Sequence, residues 1–461
     1  METKKHKQEI GTGIDKLHDD ILIAVLSCMS LKDVVRTSVL SSRWRYLWMF
    51  TSGTLDFDDW NTSTGKIMKR EKFKALVNRV LNLHQGSRVD NLVIRFTNLC
   101  YQFRTSEIDS WIHFAMRKKV KGFELDFSVD DGFHCCYKFP SIEELLLLSP
   151  SSAFGSLRCL KLVDVDIDDE VIRYLLASCP YIEHLCIRDS DATMNLEVVG
   201  SLPNLRELEI SNCLNIRSME IYATNLVSCT YQGRKISSPF KNTPNLTELT
   251  LGGKFCHSFA YEPNKHSSYS DQLVKLVLNF QTVGRERPIA SPDLHKLYFL
   301  ERLELNIVSI GCRSLFFFTS LIKASPNLRK FKIKIEYFTY DQQSTALRLN
   351  GGRMELFPVV TSATTGGFRH KNLKVIEMCG YIGLRSEDEF IMQLIKVAAL
   401  SLDVVFIDTQ TDYHFYCAKE SYGTNALQRS SELYDRQRRH AICCATDLKR
   451  KCISQIKFVI T

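Results

Sequence analysis

The chain has 461 residues, 44% of them hydrophobic and 24% charged, with only 11 prolines. This is ordinary globular chemistry, which excludes a chain disordered throughout and a Pro-rich stalk; the length suits about three domains or one elongated repeat array. Sixty Lys and Arg against 52 Asp and Glu leave a net charge of +8, spread in short basic runs rather than gathered in a patch, so no nucleic-acid partner is expected.

The 16 cysteines sit singly in apolar frames such as Leu157 to Leu162 and Ile182 to Ile187, which reads as buried thiols and not as a disulfide framework. Residues 1–10 are polar and basic. The first apolar run, Ile21 to Met29, follows Asp19 and Asp20 and is about half the roughly 20 residues that a membrane span needs. No membrane association is expected, and the compartment is a reducing one, cytoplasm and/or nucleus.

From Asp15 to Phe50 the punctuation predicts three short helices, with Asp19, Ser30 and Ser41 or Ser42 as candidate caps. The first helix is apolar nearly all round, since Ile21 to Met29 leave only Ser27 polar, so it must be covered on more than one face. Val34, Val35, Val39, Leu40, Trp44, Leu47 and Trp48 supply part of the cover and themselves present apolar groups outward. So small a module cannot bury all of this alone. It docks either on the rest of the same chain or on a partner protein.

Leu17, Asp19, Ile21, Leu22, Leu26 and Ser27, then Lys32, Asp33, Val35, Arg36, Thr37, Ser38, Leu40, Ser41, Arg43, Trp44, Arg45, Leu47 and Trp48 closely resemble the plant F-box consensus at fixed spacing. The resemblance implies a three-helix module, residues 13–60, that docks on a Skp-family adaptor, which in turn holds the cullin scaffold of a ubiquitin ligase. By that pattern the adaptor-binding positions are Leu17, Ile21, Leu26, Val35, Val39 and Trp44. The family usually has proline where this chain has His18, so a looser start to the first helix and weaker adaptor binding are expected.

Residues 61–156 read as linker and irregular first repeats. From Leu157 an apolar frame, L-x-x-L-x-L, recurs at Leu157, Ile182, Leu205, Ile216, Leu246, Leu273, Leu300 and Leu328, mostly about 20 to 28 residues apart, the period of leucine-rich repeats. Weaker copies begin at Val89, Val120 and Leu373, and Asp168 to Leu176 and Leu315 to Ala324 read as short helices between strands. Residues 157–339 are thus expected to stack as a curved solenoid with a parallel sheet, frame residues inward and alternate residues outward. Among the outward residues Lys161, Arg188, Glu209, Glu220, Tyr222, Glu304, Lys332 and Lys334 form the candidate substrate surface, acidic in the middle and basic at the end. Such a split would orient a complementary partner, or serve solubility alone.

After an irregular loop at 340–367, the strand at Leu373 to Ile376, the glycines Gly380 and Gly383, a helix from Ser386 to Ala399 and the strand Val404 to Ile407 resemble the FBD domain that follows the repeats in plant F-box proteins. A helix near Glu432 to Arg450 and a strand at Ile453 to Ile460 complete this FBD-like C-terminal region, 368–461, and cap the sheet edge; Thr409 to Arg429 reads as an insertion.

No phosphate-binding, dinucleotide, serine-hydrolase or zincin signature is present. His440, Cys443, Cys444 and Cys452 lack the paired spacing of a metal site, His134 with Cys135 and Cys136 do no better, and Asp408, Asp412 and His414 lack a positioned nucleophile. The expected fold is therefore α/β: a three-helix F-box, a leucine-rich-repeat solenoid and an FBD-type cap, without cofactor, metal or catalytic site. The expected function is substrate recognition within an SCF-type ubiquitin ligase, binding the adaptor at one end and a target protein on the repeats. The alternatives are a non-degradative adaptor, or a small-molecule-dependent receptor that Lys330, Lys332 and Lys334 would have to serve.

Overall fold

The computed structural model describes residues 17–61, 66–97, 105–128, 137–148, 154–200, 202–237, 239–261, 266–280, 296–309, 315–337, 368–410, 424–452 and 455–461. Residues 13–16 of the expected F-box, the loop at 340–367, the His134, Cys135 and Cys136 group, and Asp412 and His414 lie outside them. The chain divides into two compact units, Met1–Ile216 and Arg217–Thr461.

The first unit opens with the three expected helices, α1 (Asp19–Ser27), α2 (Leu31–Thr37) and α3 (Trp44–Leu47), the last running into a 3-10 turn at Trp48–Phe50. Ser30 caps α2, its Oγ accepting from the Asp33 amide at 3.2 Å. Ser41 Oγ accepts from the Trp44 amide at 3.4 Å, ahead of α3. Asp19 does not cap α1: the cap position is His18, and Asp19 lies in the first turn, where its carboxylate pairs with Arg43. Leu22, Leu26, Val34, Trp44 and Leu47 close a small core, with Ile23, Met29 and Trp48 packed against it.

Behind the helices, six parallel strands follow in sequence order: Thr54–Asp58, Asn91–Arg95, Gly122–Asp126, Cys159–Val163, His184–Arg188 and Glu207–Ser211. The register aligns the frame residues, Leu92 with Phe123, Leu160, Leu185 and Leu208 in one row and Ile94 with Leu125, Leu162, Ile187 and Ile210 in the next. All are buried. The weaker copies at Val89 and Val120 are therefore full members of the sheet, and residues 66–148, read from sequence as linker and irregular repeats, carry regular strands with helices Arg70–Leu83, Thr105–Arg117 and Ile142–Leu148. Valine and phenylalanine fill the same inward positions as leucine, which is why the frame was faint there.

The second unit repeats the plan with eight parallel strands, Ser228–Gly233, Glu248–Gly252, Lys275–Phe280, Arg302–Ser309, Lys330–Tyr337, Val375–Cys379, Val404–Asp408 and Lys457–Ile460. The C-terminal region is thus continuous with the repeats: its strands extend the same sheet, and helices Arg385–Val397 and Thr424–Arg450 connect them. One frame was misplaced. Ile216, Met219 and Ile221 are buried, but Ser218–Tyr222 pairs with Phe240–Asn242 in a separate small sheet. The strand that joins the main sheet carries Cys229 and Tyr231 inward instead of leucines.

A recurrent turn ends the strands. Asp164, Asp189 and Asn212 each follow a strand directly and adopt φ of 56°, 55° and 59°, and Gly380 holds the matching place after Val375–Cys379 at φ 77°. Asp, Asn and Gly are the residues that tolerate this left-handed region. Gly380 is required on a second count, because a Cβ there would lie 2.1 Å from the Ile335 carbonyl oxygen.

Candidate functional site

The helical module has two sides. Its own core takes up Leu26 and Trp44, both nearly inaccessible, so these two of the six positions drawn from the F-box pattern support the module from within. The other four are accessible: Leu17 (36%), Ile21 (49%), Val35 (57%) and Val39 (85%). Val25, Leu40 and Tyr46 are exposed as well. Ile21 and Val25, four residues apart, share one face of α1. Large aliphatic groups left wet on a closed core form an apolar contact surface.

The start of α1 is held despite the missing proline. His18 has φ −62° and ψ 151°, within the range proline would impose, and its carbonyl accepts from the amides of Ile21 and Leu22 at 3.1 and 3.2 Å. Arg43 reaches back to this segment, donating to the Asp19 carboxylate at 2.6 Å and to the Leu17 carbonyl at 2.6 Å. Arg43, one of the positions that match the family pattern, thus ties the first helix to the third.

The opposite side of the module is joined to the first strands by backbone bonds. The Gln85 and Gly86 amides donate to the Met49 carbonyl at 2.7 and 2.9 Å, and the Asp90 amide donates to the carbonyls of Ser52 and Gly53 at 2.8 and 3.1 Å. His84 Nε2 donates to the Thr51 carbonyl at 2.8 Å, which fixes the tautomer because a carbonyl can only accept. The Lys118 ammonium, itself buried, donates to the carbonyls of His84 (3.2 Å) and Gly86. Burial pushes both His84 and Lys118 down from their ordinary values, and the Lys118 charge adds to the effect on His84. Of the two alternatives for covering the module, docking on the chain itself accounts for one side, and the other side is exposed. Nothing in the periodicity of the sequence marks His84 and Lys118, because their partners are carbonyls.

On the sheet face of the first unit, Lys161 pairs with Glu124 at 2.9 Å, Arg95 bridges Glu124 and Asp56 at 3.0 Å each, and Arg188 pairs with Glu209. In the second unit Lys332 pairs with Glu304 at 3.4 Å, Lys334 with Glu336 at 3.0 Å and Lys330 with Glu377 at 2.9 Å. The outward charges expected to form an acidic middle and a basic end thus largely neutralise one another, across neighbouring strands or, for Lys334 and Glu336, along one. Glu220 and Tyr222 are exposed but stand on the small sheet with Phe240–Asn242, not on this face. Parallel register puts Lys161 opposite Glu124 and Lys332 opposite Glu304, and brings Arg188 and Lys330 diagonally to Glu209 and Glu377.

A second ladder was missed in the sequence. The side-chain amides of Asn204 and Asn215 donate to the carbonyls of Pro180 and Asp191, and those of Asn245, Asn327 and Asn372 to the carbonyls of Thr224, Tyr298 and Pro326, at 2.8 to 3.0 Å. Each asparagine stands just before a frame leucine or isoleucine, which is the signal that could have found it.

The thiols are placed for packing. Burial pushes Cys179, Cys186 and Cys213 up to about 12. His440 Nε2 and Cys444 Sγ lie 3.5 Å apart on one helix, Cys443 is exposed, and Cys452 Sγ contacts the Met392 thioether. Among the described residues no group of three or more His, Cys, Asp or Glu is arranged to hold a metal ion, and no described helix is long and apolar enough to cross a membrane.

The fold and these surfaces define a leucine-rich-repeat protein with an N-terminal three-helix module. The family model described as "At1g61320/AtMIF1, LRR domain" matches residues 80–461, and the F-box domain model matches residues 14–50. The chain belongs to the plant F-box/leucine-rich-repeat family. It is similar to F-box/FBD/LRR-repeat protein At4g26340 of Arabidopsis thaliana, 27% identical over 445 residues that cover 91% of this chain and 99% of the relative. Putative F-box protein At1g49610 of the same plant is 30% identical over 292 residues, 61% of this chain and 70% of that one. A chain in the crystal structure of the Rad7 and Elc1 complex in yeast aligns with 72% of this chain and 90% of its own length, at 12% identity and a TM-score of 0.28.

Proposed function

We propose that this chain is the substrate-recognition subunit of an SCF-type ubiquitin ligase. The F-box holds a Skp-family adaptor and through it a cullin, and the repeats hold a target protein. One observation carries the reading: the F-box closes its own core around Leu22, Leu26, Val34, Trp44 and Leu47 and still leaves Ile21, Val35, Val39 and Leu40 in water. Each such side chain forfeits about 1.5–3 kcal/mol of burial unless a partner covers it. Leu17, Ile21, Val35 and Val39 are the adaptor contacts, and Leu26 and Trp44 keep them in place.

The subunit supplies no reacting group. Its contribution is to raise the effective concentration of the target beside the ubiquitin carrier, for which a fixed distance matters, and the bonds from Met49, Thr51 and Ser52 to the repeats provide that rigidity. The free thiols among the described cysteines support action in the cytoplasm or nucleus. Reconstituted ubiquitin transfer to a binder of the repeats tests the proposal. Transfer with the full chain falls to background with V35D/V39D, a pair chosen because both side chains are exposed and spare the core; undiminished transfer would contradict it.

A further inference from the structure

We propose that one edge of the second unit, formed by the turns that precede four consecutive strands, is a docking surface for an acidic protein segment flanked by apolar side chains. Assigning that segment to a ligase target rests on the function proposed above; the surface itself does not.

The four strands are Arg302–Ser309, Lys330–Tyr337, Val375–Cys379 and Val404–Asp408, parallel and adjacent in that order. Their leading turns are bonded one to the next. The Leu297 amide donates to the Ala324 carbonyl at 2.8 Å and Asn327 Nδ2 to the Tyr298 carbonyl at 2.8 Å. His370 Nε2 donates to the Ser325 carbonyl at 2.8 Å, and Ser401 Oγ to the His370 carbonyl at 3.1 Å. The edge is therefore preorganised, which lowers the cost of binding.

Its exposed groups fall in a pattern. Tyr298 (51%) and Phe299 (64%) stand at the first turn and Leu400 (86%) at the fourth. Along the same turns and the helix end that feeds them, Lys296, Lys323, Arg369, Lys371 and Lys374 are exposed, and none has a carboxylate within ion-pair distance among the described residues. Asp403 is the one exposed carboxylate at these turns, Glu301 being half-buried and paired with Arg329 at 3.7 Å. At two matching places in the first unit the charges are paired, Lys121 with Asp90 at 2.8 Å and Arg158 with Glu183 at 2.7 Å, while Arg206, just before Glu207–Ser211, is exposed and stands singly. The stretch in the second unit gathers five such cations between its apolar residues.

Three strand spacings of about 4.8 Å separate the first turn from the fourth, roughly 14 Å, which about four residues of extended chain would cover. The complementary ligand carries an apolar residue, two or three carboxylates and a second apolar residue. Leu400 offers no π-face for a base, and so short a cationic stretch suits a peptide better than a phosphodiester chain.

The test is fluorescence anisotropy on the full-length protein with a labelled peptide whose centre is Phe-Glu-Glu-Glu-Leu between Gly and Ser residues. The Glu peptide is expected to bind at least tenfold more tightly than its Gln counterpart and to weaken as sodium chloride is raised. K371E/K374E lowers affinity at least tenfold, F299S/L400S lowers it several-fold, and R206E, an exposed arginine of the first unit, changes nothing. Equal binding of the Gln peptide, no binding of the Glu peptide, indifference to the two double variants, or equally tight binding of oligouridine lost in the same variants would each overturn the proposal. Adaptor binding measured on the same preparations separates the two readings. Adaptor bound and peptide refused overturns this surface alone; peptide bound and adaptor refused overturns the ligase assignment and leaves the surface standing.

Discussion

His370 shows how single side chains hold one turn on the next. Its Nδ1 accepts from the Leu373 and Asn372 amides at 3.0 and 3.2 Å while Nε2 donates to Ser325, an arrangement only the neutral ring can satisfy. Burial pushes its pKa down, as it does for His84, whose Nδ1 is buried without a partner. Because the folded values lie below the unfolded one, near 6.5, the stabilisation is fully present above that pH and is lost as pH falls through and below it. Urea midpoints are therefore expected to be lower at pH 5 than at pH 7.5, and NMR titration should find both rings changing below the ordinary histidine range; a midpoint independent of pH would contradict this. His18 makes a different point at the same scale. It already holds a proline-like φ, so His18→Pro is predicted to stabilise the protein by about 0.4–1 kcal/mol through the unfolded chain. A denaturant midpoint that drops would show that the segment before α1 cannot accept the ring.

At the scale of the element, the unit is a strand of two inward apolar residues, followed in several repeats by a left-handed turn and preceded in several by an asparagine bonded to a carbonyl of an earlier turn. Leu208→Ala removes a fully enclosed frame residue and should cost about 2–5 kcal/mol in chemical denaturation. Gly380→Ala meets both an unfavourable φ and the Ile335 carbonyl, and a loss of more than about 1–2 kcal/mol is expected. Asp189, at the same place in another turn, should accept glycine without loss. These elements were legible to different degrees. The leucine frames were plain because inward residues must be apolar at fixed spacing, and every frame read from the sequence is buried. The strand Ser228–Gly233 was not, since Cys229 and Tyr231 fill the inward places, and Ile216 to Ile221 imitated a frame while pairing elsewhere. The charged surface was least legible: sequence lists the outward residues, but only register shows that Lys332 faces Glu304 and that Arg188 lies within reach of Glu209 on the next strand.

At the scale of the whole molecule, what needs explaining is an F-box bonded to the repeats on one side and bare on the other. Residues 49–53 carry the connection, and His84 and Lys118 hold it from beneath. The bare side carries the claim that this protein works as an adaptor-bound subunit, and it can be probed without disturbing the fold, because Ile21, Val35 and Val39 lie outside the core that Leu26 and Trp44 complete. The most direct measurement is calorimetric titration of the full-length protein with a purified Skp-family adaptor, set beside V35D/V39D and, as a check on the core, Trp44→Ala. A tight complex that V35D/V39D weakens at least a hundredfold with its thermal transition unchanged, while Trp44→Ala loses both binding and stability, is the predicted result. Failure of the intact, folded protein to bind the adaptor, or binding that survives V35D/V39D unchanged, would contradict the account.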